Sequence, residues 1–327
     1  TCFMLHERTI VTGSLAYDQI LNLPGKFSSY ILPEKIHNIN VSFTTDTHKK
    51  RFGGTGGNQA YSLSLLGMHP TLLATAGNDF QPYLKFLKKN HIDTSRIVII
   101  NDEMTAMGIA ITDEKDNQIW GFSKGAMKHA RYLSIKPLLT NDSHNTWVMI
   151  TPDEPKAIEN YITECIETGT PFSFDPAFYI PLMSKSALKR AVLHARIVFG
   201  NDYEIALLKK KIGVTTPTFS SVHEQYLITT FGEKGSEIIH SKLTGSTIKR
   251  VRVKPARVQQ VIDPTGAGDA YRSGFMAGFL NGKDIAICGQ MGSIAAAYAV
   301  ENYGTMEHSY SVKEFEKRYE ENYGPLT

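Results

Sequence analysis

The feature that most constrains the fold is the alternation of strand-like and helical segments along most of the chain. Short runs of β-branched and apolar residues are each followed by a helical run, typically of roughly 10–15 residues. Parallel strands need such crossover helices, which cover both faces of the sheet. The order therefore predicts an α/β fold of the three-layer α/β/α type with a mostly parallel central sheet. We expect strands at residues 9–13, 71–75, 147–150, 172–174, 197–199 and 226–230, and helices at 58–66, 82–89, 157–167, 186–194, 202–211, 269–280 and 285–301.

Two stretches interrupt this alternation. Residues 18–50 are extended and rich in turn signals, and residues 104–122 contain two β-rich runs, 107–112 and 118–122, joined by a polar turn typical of a hairpin. We expect both stretches to form a small β-sheet lid over a site at the strand ends. The alternative is that they are surface excursions without a common role. The absence of repeats and long linkers predicts one domain, residues 1–327, that carries this lid.

Composition excludes several classes of protein. Of 327 residues, 42% are hydrophobic and 20% are charged, which is typical of a globular chain rather than a disordered one. A net charge of +3 argues against binding to nucleic acid. Cys2, Cys165 and Cys288 are widely spaced, which argues against a disulfide framework or a zinc site. No apolar run approaches about 18 residues, so no membrane span and no membrane partner are expected. Together with the cysteine spacing, this predicts a cytoplasmic protein. A monomer or a homodimer is expected.

A turn of small residues directly before the predicted helix 269–280 indicates an anion site. Gly266, Ala267 and Gly268 offer consecutive backbone N–H groups with little side chain to obstruct a ligand. The first turn of a helix has unpaired N–H groups and a partial positive charge. Together these groups favour binding of a phosphate or of charge developing on a transferring phosphoryl group.

Asp269 follows this turn and is the candidate catalytic base. A carboxylate there can accept a proton from a substrate hydroxyl while the amides hold the phosphoryl oxygens. The alternative is that Asp269 only caps the helix, since aspartate is a common N-cap residue. The three small residues before it favour the catalytic interpretation.

Two features nearer the start of the chain suit a polyol substrate. Gly53 and Gly54 belong to a glycine-rich turn, which lets a ligand approach the backbone, and Asn58 can donate and accept hydrogen bonds. Asp18 follows the first predicted strand, where a turn at the carboxyl end would place it in the ligand crevice of an open sheet. The alternatives are a flexible loop and an Asn helix cap.

Two further segments suit a nucleotide. Asn201 and Glu204 open a predicted helix, where Glu204 can hold Mg²⁺ through water. Thr230, Gly232 and Gly235 form a loop that can pass under a nucleotide. A capped helix and a hairpin turn are the alternative interpretations.

The two glycine signatures, residues 53–60 and 263–274, resemble those of the ribokinase (PfkB) family of sugar and nucleoside kinases. The resemblance spans nearly the whole chain and implies a ribokinase-like fold and an ATP-dependent kinase. It implies that Asp269 is the base and that the backbone of residues 266–268 is the anion hole. It implies substrate contacts from Asp18, Gly53, Gly54 and Asn58, and Mg²⁺ and phosphate contacts from Asn201 and Glu204. It also implies a K⁺ site at Asp263 and the Thr265 backbone.

Residues 27–43, 125–127 and 303–305 resemble an adenosine-kinase-like bacterial branch of that family. Apolar lid residues, namely Ile39, Phe43 and Phe122, suit a purine better than a plain pentose. One departure is Pro264, where the family often has Thr; proline removes an N–H but leaves the downstream amides intact. The expected function is transfer of the γ-phosphoryl group of ATP to the 5′-hydroxyl of adenosine. A ribokinase-type sugar kinase and a catalytically silent nucleotide- or sugar-binding regulator are the alternatives.

Overall fold

A computed structural model describes residues 8–115, 117–139, 145–215, 224–241 and 248–326 of the chain. Nine strands of these residues form one large sheet: β1 (Arg8–Thr12), β4 (Thr71–Gly77), β5 (Asp93–Ile100), β8 (Thr146–Ile150), β9 (Phe172–Phe174), β10 (Ile197–Asn201), β11 (Gln225–Thr230), β12 (Ser236–Ser241) and β13 (Ile248–Val253). Their order in the sheet is β13-β12-β11-β10-β9-β8-β1-β4-β5. All neighbours in it are parallel except the antiparallel pairs β11–β12 and β12–β13 at one edge. The predicted α/β fold is therefore confirmed.

Helices cover both faces of this sheet, because the strands are apolar on both sides. In β8, Trp147 and Met149 pack into one core cluster, whereas Val148 and Ile150 pack into the other. Parallel sheets are typically buried in this way. The helices are α1 (Thr55–Leu65), α2 (Gln81–Lys89), α3 (Lys136–Leu139), α4 (Pro155–Thr168), α5 (Lys185–His194), α6 (Asp202–Ile212), α7 (Ala267–Leu280), α8 (Ile285–Val300) and α9 (Val312–Tyr323).

A second, four-stranded sheet, here called the lid sheet, is built from the two stretches that interrupt the alternation. Its strands are β2 (Ala16–Asn22), β3 (Thr47–Gly53), β6 (Ala106–Thr112) and β7 (Gln118–Ser123), in the order β3-β2-β6-β7. The predicted hairpin is confirmed as the antiparallel pair β6–β7, whose connecting residue 116 lies outside the described residues. Between β2 and β3 the chain forms two short 3₁₀ helices, Phe27–Ser29 and Pro33–Asn38, and otherwise irregular backbone.

The predicted strands and helices are all present, mostly within three residues of the expected ends. The sequence patterns missed β5, β12 and helices α3 and α9, and they predicted no individual strand for β2 or β3. Cys165 and Cys288 are buried and form no disulfide, and Cys2 lies outside the described residues. In the described ranges, the helices are all too short or too polar to cross a membrane.

Close packing of α7 on α8 fixes the position of the helix that begins at the predicted anion turn. A Cβ atom added at Gly274 would lie 2.6 Å from the carbonyl oxygen of Met291 and 2.9 Å from Cα of Gly292. The two backbones are therefore in direct contact, and a side chain at residue 274 would force them apart.

Substitution of Gly274 by alanine should destabilise the protein because the added methyl group has no space. We expect a loss of about 1–3 kcal/mol in the free energy of unfolding, measured by urea denaturation. Gly121→Ala is the matched control, because a Cβ atom there meets no heavy atom within 4 Å. Equal stability of both variants would show that the helices can separate without cost.

Candidate active site

The turn before α7 is built to present backbone amides at the surface. Gly266 has φ 80°, a left-handed conformation that favours glycine, and it is the N-cap residue of α7. The amide of Ala267 donates to the carbonyl oxygen of Pro264 at 3.2 Å. Within the described part of the chain, the amides of Gly266 and Gly268 donate no hydrogen bond. Two of the three predicted anion-binding amides are therefore open to a ligand.

Asp269 lies in the first turn of α7, and its carboxylate is held by side chains from another helix. Asn58 Nδ2 donates to Oδ2 at 2.8 Å, and Gln59 Nε2 donates to Oδ1 at 3.1 Å. Because Gly266 is the N-cap residue and this carboxylate bonds to α1, the capping alternative is wrong. Burial raises the pKa of Asp269, whereas the Arg272 guanidinium and the two amide donors oppose the rise.

Only one of the two polar side-chain atoms of Asn58 forms a hydrogen bond within the described part of the chain. The residue is buried, and its Oδ1 atom has no hydrogen-bond partner among the described residues. An unpaired buried acceptor is costly unless a ligand satisfies it. A substrate hydroxyl beside Asp269 would supply that hydrogen bond.

Gly53 and Gly54 connect the lid sheet to α1. Gly53 ends β3, and Gly54 is the N-cap residue of α1 with φ 91°. A Cβ atom added at Gly54 would lie 2.6 Å from the carbonyl oxygen of Ser14, so only glycine fits there. The helix therefore starts at Thr55, earlier than the predicted residue 58.

Asp18 lies inside strand β2 of the lid sheet, which corrects its expected place in a turn after the first strand. Its carboxylate is packed between two glycines of neighbouring strands. Added Cβ atoms at Gly53 and Gly108 would lie 2.3 Å from Oδ2 and 2.9 Å from Oδ1, respectively. Burial raises the pKa of Asp18 to about 6, and the Asp263 carboxylate adds to this rise.

The face of the lid sheet that carries Asp18 also carries aromatic side chains. Asp18 pairs with Gly108 in β6, and Gly108 pairs with Phe122 in β7, so their side chains point to one face. The ring of Trp120 lies over Gly108, with Cζ3 at 2.9 Å from an added Cβ atom. Both aromatic side chains are about half exposed. Sequence reasoning missed Trp120, although it lies two residues before Phe122 in the predicted strand and so shares its face.

The other predicted apolar residues of this region are less informative. Phe43 packs edge-on against Phe27 and Tyr30, each with ring centroids 5.5 Å apart. Ile39 follows the second 3₁₀ helix and is exposed. The ring contacts of Phe43 do not involve the residues around Asp269.

Residues 303–305 join the lid sheet to the anion turn. Arg51 of β3 donates to the carbonyl oxygen of Tyr303, and Thr305 Oγ1 donates to the carbonyl oxygen of Phe52 at 3.1 Å. In the same segment, the amide of Gly304 donates to Asp263 Oδ2 at 3.0 Å. This segment therefore holds β3 and the turn before α7 in a fixed relation.

The predicted nucleotide residues lie together at the carboxyl ends of β10 and β11. Asn201 pairs with Thr230 across these strands. Asn201 and Glu204 form a reciprocal capping box at the start of α6, as the alternative interpretation had it. Gly232 and Gly235 have φ 58° and 87° and form the turn between β11 and β12.

The donor sets for metal ions are small. Among the described residues there is no group of three or more His, Cys, Asp and Glu side chains that could hold a metal ion. Asp263 Oδ1 accepts from the Thr265 amide at 2.9 Å, and Glu204 contributes a single carboxylate. Such sets fit Mg²⁺ held mainly through water and substrate phosphates.

Two further charged residues lie beneath Asp269. Arg272 Nε lies 2.6 Å from Asp175 Oδ2, and Gln59 Nε2 donates to the same oxygen at 3.5 Å. Arg272 Nη2 lies 3.6 Å from Glu204 Oε2. Sequence reasoning missed Gln59, Asp175 and Arg272, although an arginine within a run of small helical residues was a visible signal.

The known proteins that this chain resembles are kinases of sugars and nucleosides. A family model described as pfkB family carbohydrate kinase matches residues 27–311. The nucleoside kinase of Burkholderia thailandensis, solved in complex with inosine, is 32% identical with a TM-score of 0.84, covering 97% of this chain and 99% of that one. A nucleoside kinase of Methanothermobacter thermautotrophicus is 29% identical over 321 residues, 96% of each chain. The adenosine kinase of Saccharomyces cerevisiae is 28% identical over 167 residues, 46% of each chain.

The raised pKa of Asp18 can be tested by carbon-detected NMR titration of the carboxyl groups in metal-free buffer. We expect a value of about 6, and Asp263→Asn should lower it because a neighbouring negative charge is removed. Asp93→Asn, at the distant start of β5, should leave the Asp18 titration unchanged. An ordinary carboxyl titration for Asp18 in the unmodified protein would refute the assignment.

Proposed function

The chain belongs to the pfkB family of carbohydrate kinases, phosphotransferases with an alcohol group as acceptor, and on this premise we propose that it is an ATP-dependent nucleoside kinase. The acceptor is the 5′-hydroxyl of a purine nucleoside, with adenosine as the first candidate. One observation carries the proposal: the buried Asp269 carboxylate lies beside the open amides of the turn before α7.

Asp269 acts as the general base in this proposal. Its carboxylate takes the proton of the 5′-hydroxyl, and the hydroxyl oxygen then attacks the γ-phosphorus of ATP. The new P–O bond forms as the bond from the γ-phosphorus to the bridging oxygen breaks, giving a nucleoside monophosphate and ADP. The amides of Gly266 and Gly268 stabilise the charge that develops on the transferring oxygens. Ala267 contributes through the backbone shape of the turn.

The substrate is held from both sides of the cleft. Asp18 accepts hydrogen bonds from sugar hydroxyls, and the unpaired Oδ1 atom of Asn58 accepts another. The backbone at Gly53 and Gly54 admits the sugar closely because neither residue has a side chain. Water is excluded when the lid sheet covers the bound substrate, which protects ATP from hydrolysis.

The aromatic side chains of the lid sheet favour a nucleoside over a free sugar. Phe122 and Trp120 lie on the face that carries Asp18, so a ribose held by Asp18 would bring its base onto them. Similarity to the nucleoside kinase solved with inosine and the partial match to an adenosine kinase both support a purine nucleoside.

In this proposal ATP binds at the carboxyl ends of β10 and β11, near Asn201, Thr230, Gly232 and Gly235. We propose that Glu204 holds Mg²⁺ through water, and that Asp263 and the Thr265 carbonyl group hold K⁺. When bound, these cations neutralise phosphate charge. Asn201 and Glu204 also keep the first turn of α6 in place beside the phosphates.

The substrate class can be tested by ADP release with adenosine, inosine, guanosine, ribose and a phosphosugar, with and without K⁺. We expect kcat/KM for the purine nucleosides to exceed that for ribose by at least about a hundredfold, because ribose leaves the aromatic surface uncovered. The matched control is 5′-deoxyadenosine, which lacks the acceptor hydroxyl and should inhibit without being phosphorylated. Turnover only with a sugar would overturn the nucleoside assignment, and turnover with none would favour a silent regulator.

The base assignment predicts the behaviour of Asp269→Asn. We expect kcat to fall by between about 10² and 10⁴, with little change in nucleoside KM, because the amide keeps the shape but cannot accept the proton. Asp284→Asn, at the N-cap of α8, is the control and should retain activity. Near-normal turnover of the Asp269 variant would refute its role as the base.

A further inference from the structure

Arg272 is a buried cation directly behind the catalytic turn. It lies on α7, one helical turn after Asp269, and is only 9% exposed. Its guanidinium group pairs with Asp175, where Nη2 donates to Oδ1 at 3.0 Å, and it lies close to Glu204. A guanidinium group presents a rigid planar fork of donors, so this pair has a fixed geometry.

The guanidinium group also packs against the backbone of the turn. A Cβ atom added at Gly268 would lie 2.5 Å from Arg272 Nη1. Arg272 therefore occupies the space that a side chain at residue 268 would need. Any movement of the guanidinium group would change its packing against Gly268, which carries one of the two open amides.

More acidic than basic side chains surround the Arg272 guanidinium group. Three carboxylates, those of Asp175, Glu204 and Asp269, act on this one cation. Burial raises the pKa of Asp175 to about 7, even though the Arg272 charge opposes the rise. Removal of one partner from a buried ion pair leaves an uncompensated charge, which is costly.

We propose that Arg272 is a positioning residue that holds the turn at Gly268 and supplies the positive charge that balances the carboxylates around the catalytic base. It touches neither substrate in this arrangement and acts through Asp269, Gly268 and Glu204. The inference rests on the proposed function, in which Asp269 is the base. Arg272 thereby links the start of α6, the end of β9 and the start of α7, the three elements that would surround the reacting phosphate.

The groups that face Asp269 come from several elements. They are Arg272 on α7, Glu204 on α6, Asp175 after β9, Tyr83 on α2, and the neutral donors Asn58 and Gln59 on α1. Loss of the positive charge should disfavour the ionised form of Asp269, whereas loss of a negative charge should favour it. Substitutions of Arg272 and Asp175 should therefore shift the acid limb of the pH–kcat profile in opposite directions.

The experiment measures this profile, nucleoside KM and thermal stability for Arg272→Met, Arg272→Lys and Asp175→Asn. In the methionine variant we expect kcat at neutral pH to fall by about ten- to a hundredfold, with KM within about threefold. Its acid limb should move to higher pH by about one unit, and that of the lysine variant by less, because lysine keeps the charge. The limb of Asp175→Asn should move to lower pH.

Arg318→Met is the matched control. The side chain of Arg318 on α9 is about as little exposed as that of Arg272, pairs with Glu301 at the C-cap of α8, and contacts none of the catalytic groups. Its loss should lower the melting temperature without shifting the acid limb. A shift equal to that of Arg272→Met would show that general destabilisation causes the effect and would overturn the proposal.

A double-mutant cycle tests the packing directly and remains informative if Arg272→Met is poorly stable. Gly268→Ala should lower kcat in the unmodified background and cost less in the Arg272→Lys and Arg272→Met backgrounds, where the side chain can move aside. Additive effects, unchanged kcat in Arg272→Met, or shifts of one sign for Arg272→Met and Asp175→Asn would each overturn the proposal. Near-normal turnover of Asp269→Asn would instead refute the proposed function on which it rests.

Discussion

A carboxylate kept out of water at the start of α7 is the constraint on which the rest of this site depends. Burial raises the pKa of Asp269 and so favours its neutral form, which cannot take a proton from an alcohol. The surroundings of Asp269 oppose this: two side-chain amides from α1 donate to it, and the guanidinium group of Arg272 lies behind it. The amide donors and the guanidinium group can reach Asp269 together only where α1, α7 and the ends of β9 and β10 meet. The parallel sheet brings these elements to one point.

Lid and sheet are joined through backbone rather than through a separate linker. Strand β3 runs into α1 through Gly53 and Gly54, so the segment that we propose contacts the sugar also positions the side-chain amides that hold Asp269. Residues 303–305 complete the connection by bonding to both β3 and Asp263. The proposed hydroxyl-binding group, Asp18, and the proposed base, Asp269, therefore belong to one connected unit.

Much of this was predictable from the sequence, and what was missed has physical reasons. The family resemblance, the alternating core elements and the hairpin are confirmed, because local periodicity and glycine turns are encoded within short segments. Asp18 was misplaced because the chain re-enters a strand at Ala16, only a few residues after β1 ends. The Arg272–Asp175 pair joins residues 97 positions apart, so it is not visible in a local pattern. Trp120 could have been found, because it lies two residues before Phe122 in the predicted strand and so shares its face.

The lid sheet has three strands that are buried at one end and more exposed at the other, and this has a consequence for selectivity. Its strands are buried where they leave the core, at Ala16, Gly53 and Ala106, and they become more exposed towards Asn22 and Thr47. We expect such a sheet to be stiffer at its buried end than at its exposed end, because the buried end makes more packing contacts. Asp18 lies near the buried end, so a pentose bound there would meet a firmly positioned surface that tolerates little change in shape. Groups of the ligand that extend towards the exposed end would meet a surface that can adapt to differences in size.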